Sequence, residues 1–354
     1  MRKTYTLMAL VSAVAGLLFT AGQTPAFAQK VTITSWGGAY SASQRQAYYE
    51  PFMKETGMTV LEDEWSGDIA QIRAQVETGN YKWHVVDVET DHVLAGCDEG
   101  ILEVLDWSKL GLSPDDMLPG AAHDCAVGTI SWSTIYAYDG DVLPEGNRPT
   151  TAADFFDLEK FPGKRGLWRS PKHNFEFALI ADGVPVDQIY DVLSTEEGLQ
   201  RAFDKLGTIK SEVIWWEAGA QPPQLLADGE VVMTTAWNGR IFNAVKEEGK
   251  NFIMVWDGQA LDYDHFVIPK GHPDKELAYQ FIAYASRPDI QKNQSKFISY
   301  GPTVKATVPL INPDILKDLP TAPENTQNYY VVNAAWWADH REELTERLNA
   351  WLAQ

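Results

Sequence analysis

Arg240 closes the segment Ala236-Trp237-Asn238-Gly239-Arg240, where the apolar run Val231–Thr235 gives way to a helical pattern. An arginine fork beside the free N–H groups of a helix start is chemistry for gripping a carboxylate. Asp264, in Tyr263-Asp264 just ahead of the run Phe266–Ile268, has the opposite sign and suits an amine. Glu89-Thr90-Asp91, directly after Val85–Val88, offers two more acids that could hold a cation. In Ser35-Trp36-Gly37-Gly38-Ala39-Tyr40 the glycines let backbone approach a ligand closely, and the rings of Trp36 and Tyr40 flank them. Most of these segments follow a predicted strand, and ligands of α/β folds sit just beyond the carboxyl ends of strands.

Bond-breaking chemistry finds no comparable arrangement. The chain lacks a Gly-x-Ser-x-Gly elbow, a Ser-x-x-Lys pair, a His-Glu-x-x-His helix and the glycine-rich phosphate loops. The seven histidines are scattered, and two isolated cysteines with no histidine at ligand spacing cannot build a tetrahedral site. No metal or cofactor is expected, and the chain is read as a binder rather than an enzyme. Glu196-Glu197 and Glu342-Glu343 read as solvated helix faces. A secreted hydrolase whose acids meet across a cleft stays open as an alternative.

The elements that must position these residues alternate. Val31–Thr34 reads as a strand broken at Gly37-Gly38, with Ser41 or Ser43 capping a helix that stops at Gly57. Ile69, Ile72 and Val76 share a helical face between Asp68 and Gly79, and Val85–Val88 is the next buried strand. A second series has helices near Phe175–Ile180, Leu199–Leu206, Pro222–Ala227 and Ile241–Glu248. Its strands are Val213–Trp215, Val231–Thr235, Phe252–Val255 and Phe266–Ile268, and helices near Lys275–Ala285, Asp289–Lys296 and Asp339–Leu352 follow. This is an α/β pattern with a parallel or mixed sheet covered on both faces. No Gly/Ser linker separates two halves, so the chain is expected to cross between two lobes more than once, with a ligand in the cleft.

Residues 1–28 read as a cleaved signal peptide: Arg2 and Lys3, an apolar stretch Leu7–Phe19, then Ala26-Phe27-Ala28. The expected destination is the periplasm, with no membrane insertion of the mature chain. Its loss moves the formal charge from −20 to −22, with 27 Lys+Arg against 49 Asp+Glu. Such acidity excludes nucleic acid and an anionic membrane surface as partners. The mature length exceeds the usual single core of about 250–300 residues, so two domains are expected. The 13 tryptophans outnumber what two cores need, which assigns some to a binding surface. In an oxidising compartment Cys97 and Cys125 are read as a disulfide.

In this order, five segments resemble the solute-binding proteins of ABC importers, in the branch that binds spermidine, putrescine and γ-aminobutyrate. They are Ser35–Tyr40, Pro51-Phe52 with Glu55-Thr56-Gly57, Phe155-Phe156-Asp157 with Phe161-Pro162-Gly163, Ala236–Gly239, and Tyr300-Gly301-Pro302-Thr303. The resemblance implies a two-lobed periplasmic-binding-protein fold (type II), with hinge crossings and a cleft between lobes. One lobe would be 29–138 with 264–303, the other 139–263 with 304–354. It implies a membrane permease as partner and a monomeric receptor. Trp36 and Trp237 fall where the family keeps aromatic walls, Asp264 where it keeps an amine-binding acid, and Tyr300 and Asn333 where it lines the cleft. Ser170 and His173 stand where polyamine binders carry acids, and Asp262 stands where a tryptophan is expected. Arg240 matches the arginine with which γ-aminobutyrate binders take a carboxylate. An ω-amino acid is therefore the leading expectation, and a polyamine held by Glu89 and Asp91 is the alternative.

Overall fold

A computed structural model describes residues 29–143, 145–146 and 148–354, so the expected signal peptide lies outside the described residues. Ten strands form one mixed sheet. They are β1 (Lys30–Ser35), β2 (Thr59–Glu64), β3 (Val85–Glu89), β4 (Ala122–His123), β5 (Ala126–Asp139), β6 (Arg165–Trp168), β7 (Val213–Trp216), β8 (Met233–Trp237), β9 (Phe252–Val267) and β10 (Tyr329–Val331). The order is β2-β1-β3-β9-β5-β8-β6-β7, with β4 on β5 and β10 on β9. The outer strands pair in parallel at both ends, whereas β9 and β5 run antiparallel to each other and to their neighbours in that order.

β5 and β9 hold the architecture together, and neither was legible as one strand. Thirteen of the fourteen β5 residues are buried, so no polar alternation marks it. β9 joins the expected strand Phe252–Val255 to the first two residues of the expected strand Phe266–Ile268, making a single strand of 16 residues that ends at Val267. Each strand serves two cores. Val127 and Phe266 join Val31, Ile33, Phe52 and Phe281 in the first, while Tyr136 and Ala260 join Phe155, Phe175 and Trp337 in the second. Between them lies a mainly aromatic cluster of Tyr40, Trp132, Trp168, Trp216, Trp237 and Tyr300. The surplus of tryptophan is concentrated there.

Local punctuation explains most helix bounds. Gly57 and Gly79 end their helices with φ of 73° and 66°, in the left-handed conformation glycine adopts at low cost. The first helix differs from expectation. It starts at Gly38, with Gly37 at its cap, and Ser41 turns back to accept a hydrogen bond from the Gly37 N–H. The last helix, Ala334–Leu352, also starts earlier, because Asn333 caps it by accepting from the Trp336 N–H.

Cys97, in the helix Thr90–Asp98, is bonded to Cys125 just before β5, closing a separation of 28 residues. In the chain-entropy picture this loop is worth about 3 kcal/mol. Replacing both cysteines by serine is expected to lower the calorimetric midpoint by several degrees. An unchanged midpoint would show that the bridge does not restrain the unfolded chain.

Candidate functional site

Three acids share one face of the sheet. Asp87 and Glu89 are two apart on β3, and Glu89 lies directly across from Asp264 on β9. All three are buried, and like charges placed opposite one another in a sheet repel. Asp91, in the first turn of the following helix, and Asp262 on β9 add two more buried acids. Burial on this scale requires compensation for each charge.

Part of that compensation comes from elements packed on the second core. Lys172, fully buried, donates to Glu89 Oε2 at 2.9 Å, Asp91 Oδ1 at 2.8 Å and Asp262 Oδ2 at 2.8 Å. Arg341, from the last helix, places Nη2 2.6 Å from Glu89 Oε2 and Nε 2.5 Å from Asp91 Oδ2. Burial opposes ionisation of Glu89, but Lys172 and then Arg341 outweigh it and bring its pKa down to about 2. Burial likewise opposes ionisation of Asp91, and Arg341 and Lys172 outweigh it and hold that carboxyl well below its usual range. Two cations thus match two carboxylates. Asp262 is the surplus acid, and burial, with Glu89 and Asp91 alongside, lifts its pKa to about 6 despite Lys172.

Asp87 and Asp264 have no such cation. Asp87 Oδ2 accepts from the Tyr40 hydroxyl at 2.8 Å and from Gln44 Nε2 at 2.6 Å, while its Oδ1 is buried without a partner. Asp264 Oδ1 accepts from Trp132 Nε1 at 2.8 Å. Burial lifts Asp87 to about 6. Burial, and then the charge of Asp87, lift Asp264 well above its usual range. The pair retains a proton or takes a cation from elsewhere.

Arg240 is the converse. It is 3 % exposed, and among the described residues no carboxylate lies within ion-pair distance of it. Its Nη1 donates to Gly37 O at 2.7 Å and its Nη2 to Trp36 O at 3.1 Å, while Nε is buried without a partner. The fork expected to meet a carboxylate therefore also pins the loop after β1. Burial pulls the guanidinium below its ordinary pKa, and of its five donors only two are engaged here. The contact depends on glycine. Gly37 and Gly38 have φ of 68° and 55°, and a Cβ on Gly38 would lie 3.1 Å from Arg240 Nη1.

Asp264 of the acid pair and Arg240 face one chamber. Trp36, Tyr40, Glu89, Ile130, Trp132, Trp237, Arg240, Asp264 and Tyr300 close around a cavity of about 10 Å³, room for about one water, so an organic ligand needs these walls to move apart. Trp237 meets Trp36 and Trp132 edge-on, with ring centroids 6.1 and 6.0 Å apart, and Tyr300 meets Tyr40 at 5.3 Å. The indole N–H groups of Trp36 and Trp237 are buried without partners. A wider groove, lined by Gly67, His92, Ser170, Glu217, Arg341 and Glu346 among others, lies outside.

Of the residues singled out in the sequence, Trp36, Tyr40, Glu89, Trp237, Arg240, Asp264 and Tyr300 line the chamber, and Gly37 and Gly38 adjoin it. Asp91 does not: it stands behind Glu89, held by Lys172 and Arg341. Ser170 lies on the outer groove. His173 packs between Trp132 and Trp168 with both ring nitrogens buried and unpartnered, and burial, then Lys172, lower its pKa to about 3. Asn333 is not brought to the chamber. It is exposed, capping its helix beside Tyr190 and Tyr329. Asp87, Ile130, Trp132, Lys172 and Arg341 were not anticipated. Asp87 carried a signal, an acid inside the apolar run Val85–Val88, whereas Lys172 and Arg341 read as surface cations.

Two outcomes follow. Lys172→Met leaves the acids with Arg341 alone, and unfolding in urea is expected to show a loss of about 3–5 kcal/mol; a change below about 1 kcal/mol would mean that the charges are not buried together. Asp87 and Asp264 have folded pKa values above their ordinary value of 3.8. Their contribution is full below that value and is lost as pH rises through about 6 for Asp87 and higher for Asp264. Measured relative to Asp264→Asn, so that the opposing effect of the buried histidines with lowered pKa values cancels, the thermal midpoint of the ligand-free protein should accordingly fall as pH rises from about 4 to beyond 6. An equally steep fall in that variant contradicts the assignment.

A family model described as bacterial extracellular solute-binding protein matches residues 47–324. The γ-aminobutyric acid-binding protein of Pseudomonas aeruginosa is 45 % identical over 339 residues, covering 96 % of this chain and 95 % of that protein. Among solved structures, MotA from A. tumefaciens B6 in complex with glucopine superposes with a TM-score of 0.85 at 33 % identity, over 92 % of this chain and 100 % of that one. The Atu4243 GABA receptor superposes with a TM-score of 0.80 at 36 % identity, over 92 % and 98 %. No helix among the described residues is long and apolar enough to cross a membrane. With its mixed α/β sheet, its two cores and the chamber between them, the chain belongs to the bacterial extracellular solute-binding proteins, the two-lobed receptors that pass a small ligand to an ABC importer.

Proposed function

We propose that this protein is a periplasmic receptor for γ-aminobutyrate or a closely similar ω-amino acid, binding its ligand unchanged and catalysing no reaction. One observation carries the reading: a single buried chamber is lined by an arginine without an acid partner and by an acid of a pair without a cation. A zwitterion satisfies both. Its ammonium would sit by Asp264, against Asp87, its carboxylate would take the free donors of Arg240, and Trp36, Trp237, Tyr40 and Tyr300 would enclose its short chain. The names of the two γ-aminobutyrate-binding relatives support the same ligand.

The polyamine alternative loses its basis in Glu89 and Asp91, since Lys172 and Arg341 already engage both. A hydrolase would need acids facing each other across the cleft. Here Asp87, Glu89 and Asp264 stand on adjacent strands of one side, and Glu196 and Glu343 are exposed partners of Arg347. The site residues proposed are Trp36, Gly37, Gly38, Tyr40, Asp87, Trp132, Trp237, Arg240, Asp264 and Tyr300. The lobes proposed are 29–138 with 264–303 and 139–263 with 304–354, hinged where β5 and β9 pass between the cores. Export through cleavage after Ala28 and a monomeric state belong to the same proposal.

Because the chamber residues are almost wholly buried, a ligand reaches them only when the lobes part. Calorimetric titration with γ-aminobutyrate is expected to show one site. Arg240→Gln should weaken it about 100-fold, since a charge-assisted pair is worth ~1.5–3 kcal/mol. Tight putrescine binding that ignores this substitution would overturn the reading.

A further inference from the structure

Lys172 lies on the loop between β6 and the helix Asn174–Ala181, and its placement is locally expensive. His173, the next residue, has φ 70° and ψ −39°, and is the one non-glycine residue with positive φ among the described residues. That is close to the sparsely populated γ-turn region, where conformations persist only if their surroundings hold them. The holding groups are visible. Asn174 Nδ2 donates to Trp168 O at 2.6 Å and to Ser170 O at 2.7 Å, and the Lys172 N–H donates to Ser170 Oγ at 3.2 Å. The turn aims the lysine side chain away from its own core and into the acids of β3, β9 and the helix Thr90–Asp98.

There the ammonium finds what a free primary amine would seek. All three of its donors are used, on Glu89, Asp91 and Asp262. This box adjoins the ligand chamber, because Glu89 belongs to both. Without the lysine, Arg341 alone would face three buried acids beside the binding site. We propose that Lys172 is a tethered ammonium occupying a second amine subsite, and that it thereby restricts the receptor to ligands with one ammonium group. The proposal deepens the function proposed above and rests on it for the identity of the first subsite.

Lys172→Ala removes the chain from Cγ to Nζ, which n-propylammonium reproduces. That ion is expected to raise the thermal midpoint of Lys172→Ala by several degrees beyond any response of the wild type. Lys172→Met, which fills the same space without charge, should show no such gain. Putrescine affinity of Lys172→Ala should rise at least about 10-fold over the wild type, the return on one charge-assisted subsite. If Lys172→Ala does not fold, Lys172→Ala with Asp91→Asn removes one uncompensated acid and is expected to give the same response. A folded variant that gains neither propylammonium stabilisation nor putrescine affinity overturns the role of Lys172. Failure of the wild type to bind γ-aminobutyrate instead overturns the proposed function, and the propylammonium comparison still decides the lysine.

Discussion

A carboxylate or guanidinium removed from water must be matched, and that requirement organises the centre of this protein. The antiparallel register of β3 and β9 forces Glu89 against Asp264, and the two-residue repeat of β3 adds Asp87 on the same face. Nothing on that side of the molecule neutralises the three among the described residues. Lys172 and Arg341 reach across from elements of the second core and settle Glu89 and Asp91. What is left over is Asp264, its charge coupled to that of Asp87, at one wall and Arg240 at another. Recognition and closure are therefore one electrostatic problem, in which the protein supplies most of the matching charge and the ligand supplies the remainder.

The same arrangement couples binding to motion. Arg240 holds the carbonyls of Trp36 and Gly37, and the last helix reaches the helix Thr90–Asp98 through Arg341. In the proposed hinge motion these contacts would part as the lobes open. Breaking them in water is not costly to the individual groups, which regain hydration. A ligand shifts the balance toward the shut form to the extent that it interacts better with that form. A zwitterion does so strongly, because its charges meet partners that water would otherwise have to serve. β5 and β9 are suited to carry the hinge: continuous backbone with side chains committed to a different core at each end.

Much of this was written in the sequence. The glycine and aromatic run Ser35–Tyr40, the turn from Thr235 into the helix bearing Arg240, and Asp264 beside Tyr263 all signalled chemistry through residue type and place. Toward the ends of the sheet β1, β3, β7 and β8 were legible as short strands alternating with helices, whereas β6, between β7 and β8, was not anticipated. The middle of the sheet was not legible. β5 is buried along both faces and mixes Ser, Thr, Trp and Tyr, so period-two alternation disappears. Trp132, which orients Asp264, vanished with it. Long-range charge pairing was also beyond reach: 81 residues separate Lys172 from Asp91 and 252 separate Arg341 from Glu89. Asn333 illustrates the reverse error, where family position suggested a cleft residue and local structure made it a helix cap.

The central claim is that the chamber is completed by one ligand of two opposite charges. A crystal structure of the protein with γ-aminobutyrate addresses it directly. The account predicts the ammonium within hydrogen-bonding distance of Asp264 and the carboxylate on Arg240, with Lys172 still seated among Glu89, Asp91 and Asp262. A ligand lodged in the outer groove beside Ser170 and Glu346, with the chamber unaltered, would contradict it.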